Sequence, residues 1–354
     1  MKMQDDRTIV ALDAMGGDNA PGEIVAGALN AVALSEELKV LLVGDPERIG
    51  LALTGHSYDP ERIQIVPASE VIETGEPPVN AIRRKKDSSI VVGQKLVRDG
   101  EAHAFVSAGS TGAVLVGGQV IVGRIRGVDR TPIGAIIPTT KGIALLIDSG
   151  ANVDVRPNHL VQFAKMGTIY LRDVIGITNP RVGLINIGVE EDKGNALAKE
   201  AYQLLKDVED INFIGNVEAR EIPHGGADIL LCDAFVGNVI LKLYEGTADA
   251  LIGLVKKGFM SNLRSKIGAL MVKPALKESL KGMSASEYGG APLLGLKGLV
   301  IKTHGSAKAN EVTNTLMQCI TFRDQKIVEK IKIALGPETA EPENSNTSKE
   351  AQNG

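Results

Sequence analysis

A chain of 354 residues, 44% of them hydrophobic, has enough apolar mass for one large α/β domain or two smaller ones. Its net charge of −4, 3% aromatic content and lack of Trp give no general attraction to nucleic acid and little on which to stack bases, so no nucleic-acid partner is expected. Cys232 and Cys319, each inside an apolar or helical pattern, form neither a disulfide framework nor a metal-ligand spacing, and read as buried thiols of a reducing compartment.

The opening MKMQDDRTIV carries acid where a signal peptide needs an apolar core, so no export is expected and the cytosol is the expected location. Thr8–Asp13 predicts a strand running into the loop 14–21, and Pro21 starts a helix to about Leu34. Strand 39–43, helix 47–55 and strand 62–67 follow. Residues 73–78 and the basic run 83–86 lead to a helix over 88–98. The segment 104–123 is uncharged over about the length of a bilayer span, but the hydroxyls and glycines of Ser107-Ala-Gly-Ser-Thr-Gly112 make it a strand, a turn and a short helix instead. Strands 133–138 and 142–148 predict a hairpin, followed by a helix over 158–174.

The stretch Leu184–Leu205 combines a buried strand, a polar loop from Gly188 and a helix capped by Asn195. That places Lys193 at the C-terminal end of a strand, the rim where open α/β sheets bind ligands. Taken alone, the charge run Glu190, Glu191, Asp192 and Lys193 reads first as a solvated loop, and other stretches must point to a ligand. Strands 212–214 and 228–232, a helix through 237–255, a last strand 296–302 and a closing helix 306–335 complete the alternation. A mainly parallel sheet with helices on both faces is the fold class expected. Residues 1–335 read as one two-lobed domain, and the polar segment 336–354 as a disordered tail.

Several strand ends carry chemistry. Asp13 precedes Gly16-Gly17, whose adjacent glycines lack the spacing of a dinucleotide turn but permit close backbone approach to a ligand. A tight turn with Asp18 as helix cap is the alternative. Ser107, Gly109, Ser110, Thr111 and Gly112 form a nest of donors suited to a phosphate, without the Lys of an ATP-binding loop; a hydroxyl-capped helix fits as well. Asn152, expected to bind substrate, and Asn238 sit in two further polar strand ends. His159 is a possible ligand or an ordinary cap-region histidine, and His304 stands in the same position. The five histidines show no paired spacing, so no metal site is expected.

The segments IVALDAMGGDNAP, VSAGSTGA, LIDSGAN, GVEEDKGN and DAFVGNVILK, in that order, resemble the bacterial acyl-carrier-protein:phosphate acyltransferase family of phospholipid synthesis, from about Ile9 to Leu335. The resemblance implies an isocitrate/isopropylmalate dehydrogenase-like or phosphotransacetylase-like fold and a homodimer. It further implies acyl carrier protein and inorganic phosphate as partners, and a membrane glycerol-3-phosphate acyltransferase that takes the product. Lys193 and Asn238 are implied as the catalytic pair because they occupy the DKGN and VGN positions. No cofactor is implied, since a thioester and an acyl phosphate are both activated. Phosphotransacetylase chemistry on short acyl-CoA, a decarboxylating dehydrogenase and a non-enzymatic scaffold of lipid synthesis are the rival readings.

Residues 256–281 concentrate seven basic side chains against Glu278. Leu263, Ile267, Leu270 and Met271 fall at helical spacing beside Arg264, Lys266 and Lys273, with Pro274 expected to break the helix into a hairpin. This predicts contact with an anionic membrane surface or an acidic carrier protein. Peripheral association with the inner face of the cell membrane is the location the family implies.

Overall fold

The computed structural model describes residues 6–279 and 288–336. The expected tail beyond Gly336 and the last two residues of the 256–281 segment lie outside them. Eleven strands and eleven α-helices alternate in the described residues. In chain order they are β1 (Thr8–Asp13), α1 (Gly22–Leu34), β2 (Leu38–Gly44), α2 (Pro46–Leu53), β3 (Ile63–Pro67), α3 (Pro78–Arg84), α4 (Ser89–Arg98), β4 (Ala104–Ser107) and α5 (Thr111–Gly117). After these come β5 (Gly134–Thr139), β6 (Gly142–Ile147), α6 (Pro157–Tyr170), β7 (Arg181–Asn186), α7 (Ala196–Lys206), β8 (Asn212–Glu218), β9 (Ile229–Leu231) and α8 (Ala234–Phe259). The chain closes with α9 (Leu263–Ser279), β10 (Ala291–Pro292), β11 (Leu299–Lys302), α10 (Ala309–Asp324) and α11 (Ile327–Leu335).

The strands make two sheets. One has the order β10-β11-β4-β1-β2-β3, parallel except for β10; the other has the order β5-β6-β9-β7-β8, parallel except for β5. Every residue of β1 is buried, as a central strand covered on both faces requires. Isolated bridges Ile133–Leu293 and Arg124–Leu296 tie the sheets along their antiparallel edges. We read the two sheets as the lobes of one domain. The α/β class with a mainly parallel arrangement is as the sequence predicts, and β5 and β6 pair antiparallel as the expected hairpin.

Three expectations need correction. Pro274 does not break its helix: α9 runs through it, and the hairpin turns instead between Phe259 and Leu263, where α8 ends. Proline removes one intrahelical hydrogen bond and crowds the preceding turn; here the residue four back is Leu270, 70% exposed, so the helix is interrupted on the surface and not in the core. The closing helix is two, because Lys326 takes a left-handed backbone at φ 51° between α10 and α11. Finally, Pro78–Arg84 is a short helix with proline at its first position, inside a stretch read as loop.

Candidate active site

The C-terminal ends of β11, β4 and β1 lie side by side, with Lys302 opposite Ser107 and Val106 opposite Leu12. Asp13 closes β1. Its carboxylate is fully buried and accepts from Ser107 Oγ at 2.7 Å and from the Met15 and Gly16 amides at 3.1 Å. Burial pushes its pKa up against these bonds and one from the Ser89 hydroxyl. The glycines there serve loop-to-loop contact. A Cβ on Gly16 would sit 2.4 Å from Asp13 Oδ2 and 2.7 Å from the Gly109 amide nitrogen, and Gly17 at φ 98° faces Ala108.

The structure also shows what the serines of the 107–112 turn do. Ser107 Oγ donates to Asp13 and accepts from the Gly109 amide, while Ser110 Oγ caps α5 through the Ala113 amide. Thr111 is exposed, and Gly112 packs so close to Pro78 that a Cβ would lie 2.5 Å from its ring. Asp18 caps no helix through its side chain; its amide instead donates to Gly305 O at 2.8 Å. The loops after β1, β4 and β11 are thereby interlocked.

The second sheet presents its own rim. Asp148, just past β6, is fully buried and accepts from the amides of Ile133, Gly150, Ala151 and Asn152 and from Asn152 Nδ2. Burial again raises its pKa. Asn152, read from sequence as substrate-binding, spends its side-chain amide on Asp148 and on Thr131 O. Next along the rim, Asp233 caps α8 by accepting from the Val236 amide at 2.9 Å. Asn238, one turn further, donates from Nδ2 to Ser149 O at 3.4 Å. Beyond it, the loop after β7 carries the exposed Lys193, held by Asn186 Nδ2 on Lys193 O and Asn216 Nδ2 on Glu190 O. Because β9 and β7 are hydrogen-bonded neighbours, the start of α8, which carries Asn238, and the loop that carries Lys193 follow adjacent strands. Asn195 caps α7 as the sequence predicts.

His159 is not brought to this rim as a ligand. Its buried ring accepts from the Arg156 amide through Nδ1 at 3.0 Å and closes the first turn of α6, with Nε2 4.0 Å from Asp129. Burial lowers its pKa, the Asp129 charge opposing and the Arg130 and Arg156 charges adding to the fall. Leu263, Arg264, Lys266, Ile267, Leu270, Met271 and Lys273 all lie on α9, exposed and away from both rims.

Sequence reading missed two cations. Lys302 ends β11 and donates to Ala108 O at 3.1 Å and to Thr303 O. Burial lowers its pKa to about 8, the Asp13, Glu311 and Asp18 charges opposing the fall and Lys242 adding to it. Lys242 is four residues beyond Asn238 on α8, hence on the same helix face, and pairs with Glu245 at 2.8 Å. The only sequence signals were a basic residue closing the apolar run Leu299-Val-Ile-Lys302 and the last letter of DAFVGNVILK.

In fold the chain is similar to two solved structures. One is a phosphotransacetylase from Streptococcus pyogenes, with a TM-score of 0.58 at 16% identity over 90% of this chain and 94% of that one. The other is the EutD phosphotransacetylase from Staphylococcus aureus, with a TM-score of 0.56 at 14% identity over 92% and 95%. The architecture is thus phosphotransacetylase-like, the second of the two folds expected. In sequence, residues 8–330 match the family described as fatty acid synthesis protein. The phosphate acyltransferase of Alkaliphilus oremlandii is 49% identical over 322 residues, covering 91% of this chain and 96% of that one. That of Clostridium acetobutylicum is 46% identical over 323 residues, covering 91% and 97%. The chain belongs to this phosphate acyltransferase family and is an acyltransferase.

Proposed function

We propose that the protein makes acyl phosphate from a long-chain acyl-[acyl-carrier protein] and inorganic phosphate, the first step toward phosphatidic acid. A phosphate oxygen attacks the thioester carbonyl carbon, the carbonyl becomes an oxyanion, and its collapse breaks the C–S bond. The proton of hydrogen phosphate ends on the carrier thiol. Hydrogen phosphate is already a nucleophile near neutral pH, so the work left to the protein is positioning and oxyanion stabilisation. Lys193 and the Asn238 amide supply donors for the oxyanion. The amides of Ser110, Thr111 and Gly112, which open a helix and have no intrahelical acceptor, complement the dianion.

The observation that supports this reading is that Lys193 follows β7 and Asn238 follows β9, two strands paired in parallel. The test is phosphate-dependent release of carrier protein from long-chain acyl-carrier protein, run beside acetyl-CoA. Turnover of the carrier thioester without nucleotide is the expected result. Preference for acetyl-CoA would make the protein a short-chain phosphotransacetylase, and no turnover of either would leave the scaffold reading.

The working unit in this reading is a homodimer, and α9 with the end of α8 is its peripheral contact with the inner face of the cell membrane. Leu263, Ile267, Leu270 and Met271 are each more than half exposed, with Arg264, Lys266 and Lys273 among them. Apolar side chains set among basic ones suit the boundary between acyl chains and anionic headgroups. Among the described residues no helix is long and apolar enough to cross a membrane. A membrane glycerol-3-phosphate acyltransferase is the enzyme to which the acyl phosphate passes.

A further inference from the structure

Lys302 carries a half-buried ammonium whose protein partners do not complete it. Its Nζ donates to two backbone carbonyls, Ala108 O and Thr303 O, and among the described residues it forms no ion pair. An ammonium has three donors, and burying a charge without a counter-charge is costly. The surrounding charges are Asp13 after β1, Asp18 in the following loop, Glu311 on α10 and, from the other lobe, Lys242 on α8. Of these acids, Asp13 already has its oxygens engaged by Ser107 and by the Met15 and Gly16 amides. Lys242 is itself paired with Glu245 at 2.8 Å, and the third hydrogen of Lys302 has no protein acceptor among the described residues.

We propose that Lys302 binds the phosphate dianion in the acyl-transfer reaction, presenting it from the rim of the first sheet to the Lys193–Asn238 rim of the second. This rests on the acyl-phosphate reading given above and assigns the anion a side chain that the turn's own serines do not supply. Ala108 O and Thr303 O fix the ammonium, so its remaining hydrogen is offered to a ligand at little further entropic cost.

The experiment measures phosphate and acyl-carrier-protein kinetics across pH for wild type, Lys302→Gln and Lys302→Arg. It is paired with melting temperatures in inorganic phosphate alone. Loss of one charge-assisted bond predicts a rise of roughly 10- to 100-fold in the phosphate KM of Lys302→Gln, with the carrier-protein KM nearly unchanged. Wild-type kcat/KM for phosphate should fall above about pH 8, where the lysine loses its proton. Lys302→Arg, which stays charged, should lack that limb. Phosphate should raise the melting temperature of wild type more than that of Lys302→Gln. An unchanged phosphate KM, an equal rise in both KM values, or the same alkaline limb in Lys302→Arg would overturn the assignment. If Lys302→Gln does not fold, the Lys302→Arg profile decides alone. If wild type makes no acyl phosphate, the proposed reaction fails, and the phosphate-dependent melting shift still decides for or against Lys302.

Discussion

Ser107 Oγ donates a 2.7 Å hydrogen bond to Asp13 Oδ2, joining two residues 94 positions apart at the ends of adjacent strands. Removing the hydroxyl leaves a buried carboxylate short of a donor, a loss of about 1–3 kcal/mol. Ser107→Ala should therefore lower the urea midpoint without changing the denaturant slope.

The same carboxylate gives a pH dependence. Burial holds its folded-state pKa above the unfolded value, so its contribution to stability is fully present below the unfolded pKa and is lost as pH rises through the folded one. Relative to Asp13→Asn, wild type should lose stability as pH climbs away from the ordinary carboxylate range. Unfolding curves for both proteins at several pH values check this; parallel curves would mean that Asp13 is not titrating.

Lys193→Ala and Asn238→Ala each remove one oxyanion donor and should lower kcat by roughly 10²–10³. Both side chains are away from the core, so circular dichroism and melting temperature should stay close to wild type. Folded variants with wild-type rates would take both residues out of the mechanism.

Gly237 is pressed against the neighbouring loop: a Cβ there would lie 1.9 Å from Asp148 O. Gly237→Ala must push α8 off the Asp148 loop and carry Asn238 with it. Overpacking of this kind costs about 1–3 kcal/mol, and an ångström of misplacement lowers turnover by up to roughly 10². Gly258→Ala, in the same helix but with open space around it, should change neither.

The double substitution Leu263→Asp with Ile267→Asp should abolish co-sedimentation with anionic vesicles while turnover in solution largely survives. Both side chains are exposed, so the fold has no stake in them. Unchanged vesicle binding would return α9 to some other role.

Much of this fold is legible in the sequence because its elements are locally determined. The apolar runs at 8–13 and 104–107, each ended by a polar or glycine-bearing turn, read as buried strands from their own residues, and Asn195 announces its own helix cap. The part that stayed hidden depends on distant pairing. Nothing near Lys302 in sequence indicates that β11 will lie against β4 and place this lysine opposite Ser107. Likewise Gly16 and Gly109 look like ligand approaches until the loops close on each other and consume that space. His159 and Asn152 were read as ligands for the same reason: their types suit binding, and only the folded chain shows their hydrogen bonds turned inward.

The 26 residues of α8 form one uninterrupted rod, capped at Asp233 beside the reaction centre and ending at the turn into α9. At helical rise that is about 39 Å, more than the thickness of a bilayer's hydrocarbon core. If α9 is the membrane contact proposed above, α8 is the strut that would hold Asn238 at a fixed height above the headgroups, so that a carrier in solution and a bilayer below would be served from opposite ends of one helix.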